Sequence, residues 1–207
     1  MKFCKNLFLT GFLLITLTFN LFGQVSTSIC PEFGLNLANV NVTPSTTTDS
    51  RTGLIISGLV DINIGRIITA TSGMRFIMKG YSTSSGGVNY KLKFNYLEFP
   101  ALIKTRFQLT EVKPYLLGGP VLGINLSATS EQTAGNQSQS VDVSGEVESI
   151  DLSLLFGGGV DFRLAPKLSL FAQFGYQLGL TNWLKNAQGT TAKNYGIQLT
   201  SGVRIKI

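Results

Sequence analysis

The sequence predicts an all-β chain: an eight-stranded antiparallel up-and-down transmembrane β-barrel with short periplasmic turns and longer extracellular loops. Three observations predict it. Apolar and polar residues alternate with period two along three successive C-terminal stretches, which is the strand signature. Charged residues make up only 14% of the chain, against about 25% in an average soluble domain, and the mean hydropathy is +0.24. After residue 24 no apolar run approaches the roughly 18 residues of a helical membrane span.

The N-terminus reads as a cleaved secretory signal over residues 1–23, leaving a barrel domain over 24–207. Lys2 and Lys5 supply its positive end and Leu7 to Leu21 its apolar stretch, with the cut after Gly23. Cys4 precedes that stretch, so it cannot carry the lipid of a lipoprotein. Removal takes two lysines and no acid, lowering the formal net charge from +6 to +4. The basic residues are spread singly along strands, so no nucleic-acid footprint is expected. Cys30 alone would remain, which excludes an intramolecular disulfide in the mature chain.

Strands are expected near 30–40, 54–65, 68–80, 89–107, 113–128, 149–163, 167–181 and 193–207. The last is the clearest. Tyr195, Ile197, Leu199, Val203, Ile205 and Ile207 share one face; Gly196, Gln198, Thr200, Gly202, Arg204 and Lys206 share the other. The connections at 65–68, 108–113 and 163–167 are short, whereas those at 41–53, 81–88, 129–148 and 182–192 are longer and polar. That asymmetry puts both chain ends on the short-turn side of an outer-membrane barrel. Closure follows from physics, because an open sheet edge in lipid would leave backbone groups unpaired at several kcal/mol each.

"NYLEFPALIKTRF" is the least regular strand. Tyr90, Leu92, Phe94 and Tyr96 share one parity, and Leu97, Phe99, Ala101, Ile103 and Phe107 the other. A bulge between Tyr96 and Leu97 would keep both sets facing lipid, with Pro100 beside it where a missing donor costs least. Aromatic girdles are expected from Phe107, Tyr115 and Phe162 at the short turns, and from Tyr81, Tyr90, Trp183 and Tyr195 at the loops.

The inner face collects the charges. A structural lumen network is expected from Glu32, Asp61, Arg75, Lys79, Glu98, Lys104, Arg106, Asp151, Asp161, Arg163, Arg204 and Lys206. Both signs are present, so paired ions plugging the lumen are expected over a one-signed conduction path. Inward Gly157, Gly159, Gly175, Gly179, Gly196 and Gly202 would make room for long arginines and lysines.

The chain has no histidine, which excludes Ser-His-Asp and Cys-His catalysis and any His-bearing metal site. No cofactor, no metal and no enzymatic activity are expected. "GGGV" from Gly157 lies mid-strand without the helix a phosphate loop requires. The sequons at Asn41, Asn125 and Asn136 matter only in a eukaryotic host.

"PEFGLNLANV", "YLEFPALIKTRF", "KPYLLGGPVLGINL" and "FAQFGYQLGLTNW" resemble the outer-membrane β-barrel family that includes the PorT-like proteins of the Bacteroidetes and related bacteria. Nearly the whole mature chain shares the likeness, with Leu97, Glu98, Pro100 and Lys104 matching the family's recurrent Leu-Glu-x-Pro stretch and later lysine. The resemblance implies an eight-stranded barrel in the outer membrane of a diderm bacterium, reached by signal-peptide export. It also points toward a part in a secretion apparatus. One departure is Ile207, where such barrels usually end in an aromatic residue.

The leading expectation is therefore a small integral outer-membrane barrel with a structural or interaction role, in contact with outer-membrane lipid and with a protein partner at its loops or turns. The alternation carries no signal for oligomeric state. Two other functions use the same strands. A soluble lipocalin-like carrier needs the opposite orientation, apolar inside. A narrow porin-like channel needs an open lumen, whereas eight strands enclose a space that side chains fill.

Overall fold

The computed structural model describes residues 25–44, 47–108, 112–135, 137–185 and 189–207. The expected signal segment and Asn136 lie outside them. The chain forms β1 (Val25–Thr43), β2 (Asp49–Ile64), β3 (Ile68–Ser85), β4 (Val88–Arg106), β5 (Val112–Ala134), β6 (Gln137–Asp142), β7 (Ile150–Ala165), β8 (Leu168–Gly179) and β9 (Thr191–Lys206). Each strand pairs antiparallel with its neighbours. β4–β5, β5–β7 and β9–β1 pairings close an eight-stranded ring, so the barrel wall has no free edge. β6 stands outside the ring as a partner of β5 alone.

The period-two pattern sets the faces. Phe33, Ile56, Met74, Leu116, Phe174 and Leu199 are all more than half exposed on the outer wall. Their chain neighbours Glu32, Arg75, Tyr115, Gln173 and Gln198 are buried in the interior. Apolar residues outside and polar ones inside is the reverse of a soluble carrier barrel, and that reading falls here.

Two connections expected to be long loops are mostly strand. β3 and β4 run to a two-residue turn at Gly86–Gly87, flanked by the pair Ser85–Val88. Both glycines have positive φ, +59° and +80°, the hairpin geometry that L side chains resist. The 129–148 region is an extension of β5 that pairs with β6 and ends in a 3-10 turn over Ser144–Glu146. Ser, Thr and Gly dominate the first segment and Ser, Thr and Gln the second, so alternation of polarity could not mark them as strands.

The expected bulge in β4 is also corrected. Inward positions run without a break through Phe94, Tyr96, Glu98, Pro100, Leu102 and Lys104. The irregularity sits on the partner strand instead. Asn95 pairs with Ser127 but Tyr96 with Asn125, so Leu126 is the extra residue in β5. Pro100 does fall where pairing is interrupted. The β3–β4 ladder breaks between Arg75–Glu98 and Ser72–Ala101, and the β4–β5 ladder between Pro100–Val121 and Ile103–Gly118. A residue without an N–H costs least in such a gap.

The inside is part apolar. Val40, Ile55, Ile77, Phe94, Tyr96, Val147 and Trp183 form a cluster towards the long-loop end. Leu102, Tyr115, Leu117, Val121 and Leu155 form another, and Cys30, Leu59 and Phe171 a third. Tyr115 and Trp183 are therefore core residues, not girdle aromatics. Phe107 and Phe162 do lie exposed on the outside.

Candidate functional site: the barrel interior

Register assembles the interior. Residues directly paired across a ladder point to the same face. Glu32 pairs with Ser57, Ser57 with Arg75, Arg75 with Glu98, Glu98 with Gly123 and Gly123 with Asp151. One line across six strands thus aims four charges into the lumen. Gly123 supplies no side chain, and an added Cβ there would lie 3.3 Å from the Tyr96 ring.

From this line a continuous polar chain crosses the lumen. Arg75 Nη2 donates to Glu32 Oε1 at 2.9 Å, and Arg75 Nη1 to Gln198 Oε1 at 3.1 Å. Gln198 Nε2 donates to Gln177 Oε1 at 2.5 Å. Gln177 Nε2 in turn reaches Glu98 Oε1 and Ser153 Oγ, both at 2.7 Å. Lys79 Nζ closes the chain between Glu98, 2.8 Å away, and Asp151, 2.9 Å away. Its ammonium also sits 4.8 Å from the centre of the Tyr96 ring, a cation–π contact.

A second cluster lies nearer the short turns, around Asp61. Its carboxylate accepts from Thr71 Oγ1 at 2.5 Å, Lys104 Nζ at 3.2 Å, Arg106 Nη2 at 2.9 Å and Arg204 Nε at 2.8 Å. Asp161 pairs with Arg204 and, at 3.2 Å, with Arg106 Nε. Asn63 ties in Thr69 and Arg106.

Ten of the twelve expected charges thus meet in two clusters, and they balance. The acids are Glu32, Asp61, Glu98, Asp151 and Asp161; the bases are Arg75, Lys79, Lys104, Arg106 and Arg204. Neutrality matters because an unpaired buried charge is strongly penalised, whereas a hydrogen-bonded pair recovers much of its desolvation.

Arg163 and Lys206 are different. Both are exposed at the short-turn mouth, and neither has an ion pair among the described residues. They line a cavity of about 300 Å³ there. Parity put them on the inner face, but they stand too near the strand ends to be enclosed.

The relays were not expected as members of the network. Gln177 and Gln198 link Arg75 to Glu98 within the first chain, and Ser57, Thr71 and Ser153 fill remaining sites. Their inward parity in β8 and β9 was the available signal. The glycines also serve a different purpose from the one expected. A Cβ at Gly159 would lie 2.5 Å from Tyr115 Oη, one at Gly202 2.7 Å from the Phe171 ring, and one at Gly196 2.6 Å from Asn36 Oδ1. The space is taken by aromatic rings and an amide, not by arginines or lysines.

The long-loop end is closed. Val147 and Leu184 form a β-bridge, and the Glu148 N–H donates to the Trp183 carbonyl at 2.7 Å. Trp183 packs against Phe94 with the rings tilted 56° and their centres 4.8 Å apart. Together they lay an apolar lid over the Lys79–Asp151 end of the chain.

The fold has structural neighbours. Neisserial surface protein A (NspA) shares the fold at a TM-score of 0.53 and 16% identity, covering 89% of this chain and 99% of that one. A major outer membrane protein from Thermus thermophilus does so at 0.52 and 12%, covering 88% and 99%. No curated protein matches the sequence. The family model described as "Outer membrane protein beta-barrel domain" matches residues 22–185. Apolar wall, closed ring and filled interior agree with that match: the chain belongs to the outer membrane protein beta-barrel domain family and is a protein of the outer membrane.

Proposed function

We propose that the protein is a small integral outer-membrane barrel with a structural or interaction role, neither a conduit nor an enzyme. The observation that carries this reading is the filled lumen. An ion-paired chain from Glu32 to Asp151 crosses it, the two charge clusters balance as a whole, and the Trp183–Phe94 lid lies above. An ion would have to break several buried pairs to pass. Catalysis has no foothold in the same network, since the carboxylates that could act as acid or base are held by cations and no histidine is present.

What projects from the membrane is the part that a protein partner would meet. The β3–β4 hairpin and the β5–β6 hairpin extend past the length that a tilted strand of about 9–11 residues needs to cross the bilayer. β4 has 19 residues and β5 has 23. A PorT-like part in a secretion assembly is the finer form of this reading, supported by the Leu97–Lys104 resemblance. Planar-bilayer recording on purified protein tests the filled lumen, and steady ohmic conductance would overturn it. Crosslinking from cysteines in the β5–β6 hairpin, in native membranes, tests the interaction role; recovery of the uncrosslinked chain alone would count against it.

A further inference from the structure

We propose that the periplasmic mouth of the barrel is a binding site for a small, multiply charged anion of phosphate chemistry. The mouth holds a cavity of about 300 Å³, lined by seven basic side chains and one acidic one. Two of the bases, Arg106 and Arg204, are the floor and already pair with Asp61 and Asp161. The other five are Arg66, Lys113, Arg163, Lys167 and Lys206, and none has an ion pair among the described residues.

The imbalance is local. The upper cluster of Glu32, Glu98 and Asp151 with Arg75 and Lys79 leaves one negative charge, whereas the lower cluster has three bases against two acids. The positive excess therefore deepens towards the short turns, and the rim adds five more cations. Like charges gathered at one opening repel one another and focus the field on a counter-ion.

A second, independent observation lies at the floor. Arg204 is 7% exposed, and its buried Nη2 has no hydrogen-bond partner among the described residues. Buried donors of this kind are normally satisfied. Arg204 lines the cavity, so an oxyanion seated in it could accept from that nitrogen while the rim cations neutralise its charge.

Phosphate fits better than other anions. Four of the seven bases are arginines, whose planar forks match tetrahedral phosphate oxygens in bidentate fashion. The cavity is too small for a folded peptide segment but large enough for phosphate or diphosphate. The phosphate could come from a soluble periplasmic molecule or from an inner-leaflet phospholipid headgroup, since Ile67, Phe162 and Ile207 stand exposed just outside the rim.

Calorimetric titration of the full chain in zwitterionic detergent, with inorganic phosphate and then diphosphate, tests the site. Saturable binding is expected, tighter for diphosphate and weakened by added sodium chloride. The triple variant R163Q/K167Q/K206Q, which touches no buried pair, should bind about tenfold more weakly or worse. K91Q/K193Q, at the loop end, should bind as the parent does. Native mass spectrometry from nanodiscs then separates the sources. Retained phosphatidylglycerol that the triple variant loses identifies a lipid headgroup; binding confined to the soluble ions identifies a free phosphate. Absence of saturable binding, equal binding by the triple variant, or equally tight binding of a pentaglutamate peptide would overturn the proposal. None of those outcomes bears on the barrel itself, which resistance to SDS before boiling checks separately.

Discussion

Arg75 and Glu98 stand directly opposite each other in the β3–β4 ladder, yet each carries its ion pair elsewhere. Arg75 turns to Glu32 on β1 and Gln198 on β9; Glu98 turns to Lys79 on β3 and Gln177 on β8. A cross-strand pair would have been a local link worth about 0.2–1 kcal/mol. Side chains that reach across the lumen instead tie strands far apart in the ring, so the interior braces the wall from within.

Arg75 is the branch point of that brace. Replacing it by Met strands the Glu32 carboxylate and removes the donor to Gln198 Oε1. R75M should therefore lose about 3–5 kcal/mol, the usual cost of leaving a buried ion without its partner. R75K should lose less, because an ammonium restores charge to Glu32 but not the second link to Gln198. Urea unfolding in detergent, followed through the single tryptophan, Trp183, measures both. A midpoint for R75M equal to the parent's would show that the chain does not brace the barrel.

Gln177 makes a sharper test, because charge and hydrogen bonding can be separated there. Q177L leaves Gln198 Nε2 and Ser153 Oγ without their partner and should cost about 1–3 kcal/mol. Q177E keeps the shape but puts a carboxylate where the amide nitrogen lies 2.7 Å from Glu98 Oε1. Like charges that close in a buried site are worse than a missing bond. The expected order of stability is parent, then Q177L, then Q177E; an E variant as stable as the L variant would refute the contact.

How far the sequence reveals this interior depends on which solvent each residue meets. In β9 the outer face from Tyr195 to Ile205 is apolar but for Ser201 and the inner face is polar or glycine, so parity alone assigns Leu199 outward and Gln198 inward. In β4 parity misleads. Phe94 and Tyr96 are apolar but belong to the lumen cluster under Trp183, so an apolar residue there does not mean a lipid-facing one. The compensating irregularity lies in β5, at Asn125–Leu126–Ser127, where the outward stripe of Leu122, Ile124 and Leu126 ends and mostly polar residues follow, so no second apolar stripe marks the shift. Depth is the other hidden quantity: alternation places Arg163 and Asp161 on one face alike, but not that one is exposed at the rim and the other enclosed.

Gly159 probes packing between wall and core. A Cβ there would come within 2.5 Å of both Tyr115 Oη and the Ala172 carbonyl. Backbone on one side leaves no room to yield, and the tyrosine on the other is held by Gln173 at 3.2 Å. G159A should cost about 1–3 kcal/mol, the range for overpacking a filled core. Adding Y115L should recover only the side-chain part of that loss. Urea midpoints of the two variants check it, and an unchanged midpoint for G159A would mean the strands part more easily than the closed ring implies.

Adjacent residues in β9 give the most direct reading of the wall. Leu199 is 54% exposed on the outside, whereas Gln198 is 2% exposed and bonded to Arg75 and Gln177. A fluorophore on L199C should be quenched by brominated acyl chains and shielded from iodide in water. Q198C should resist labelling in the folded barrel. Introducing charge separates the faces energetically as well: L199R, set in the hydrocarbon, should cost about 2–4 kcal/mol if it lies near the bilayer midplane. Ser201, two residues along on the same outer face, provides the depth control, since S201R moves one step towards the short-turn interface and should cost less. Quenching of Q198C by lipid, with L199C silent, would invert the barrel and leave the apolar wall without its solvent.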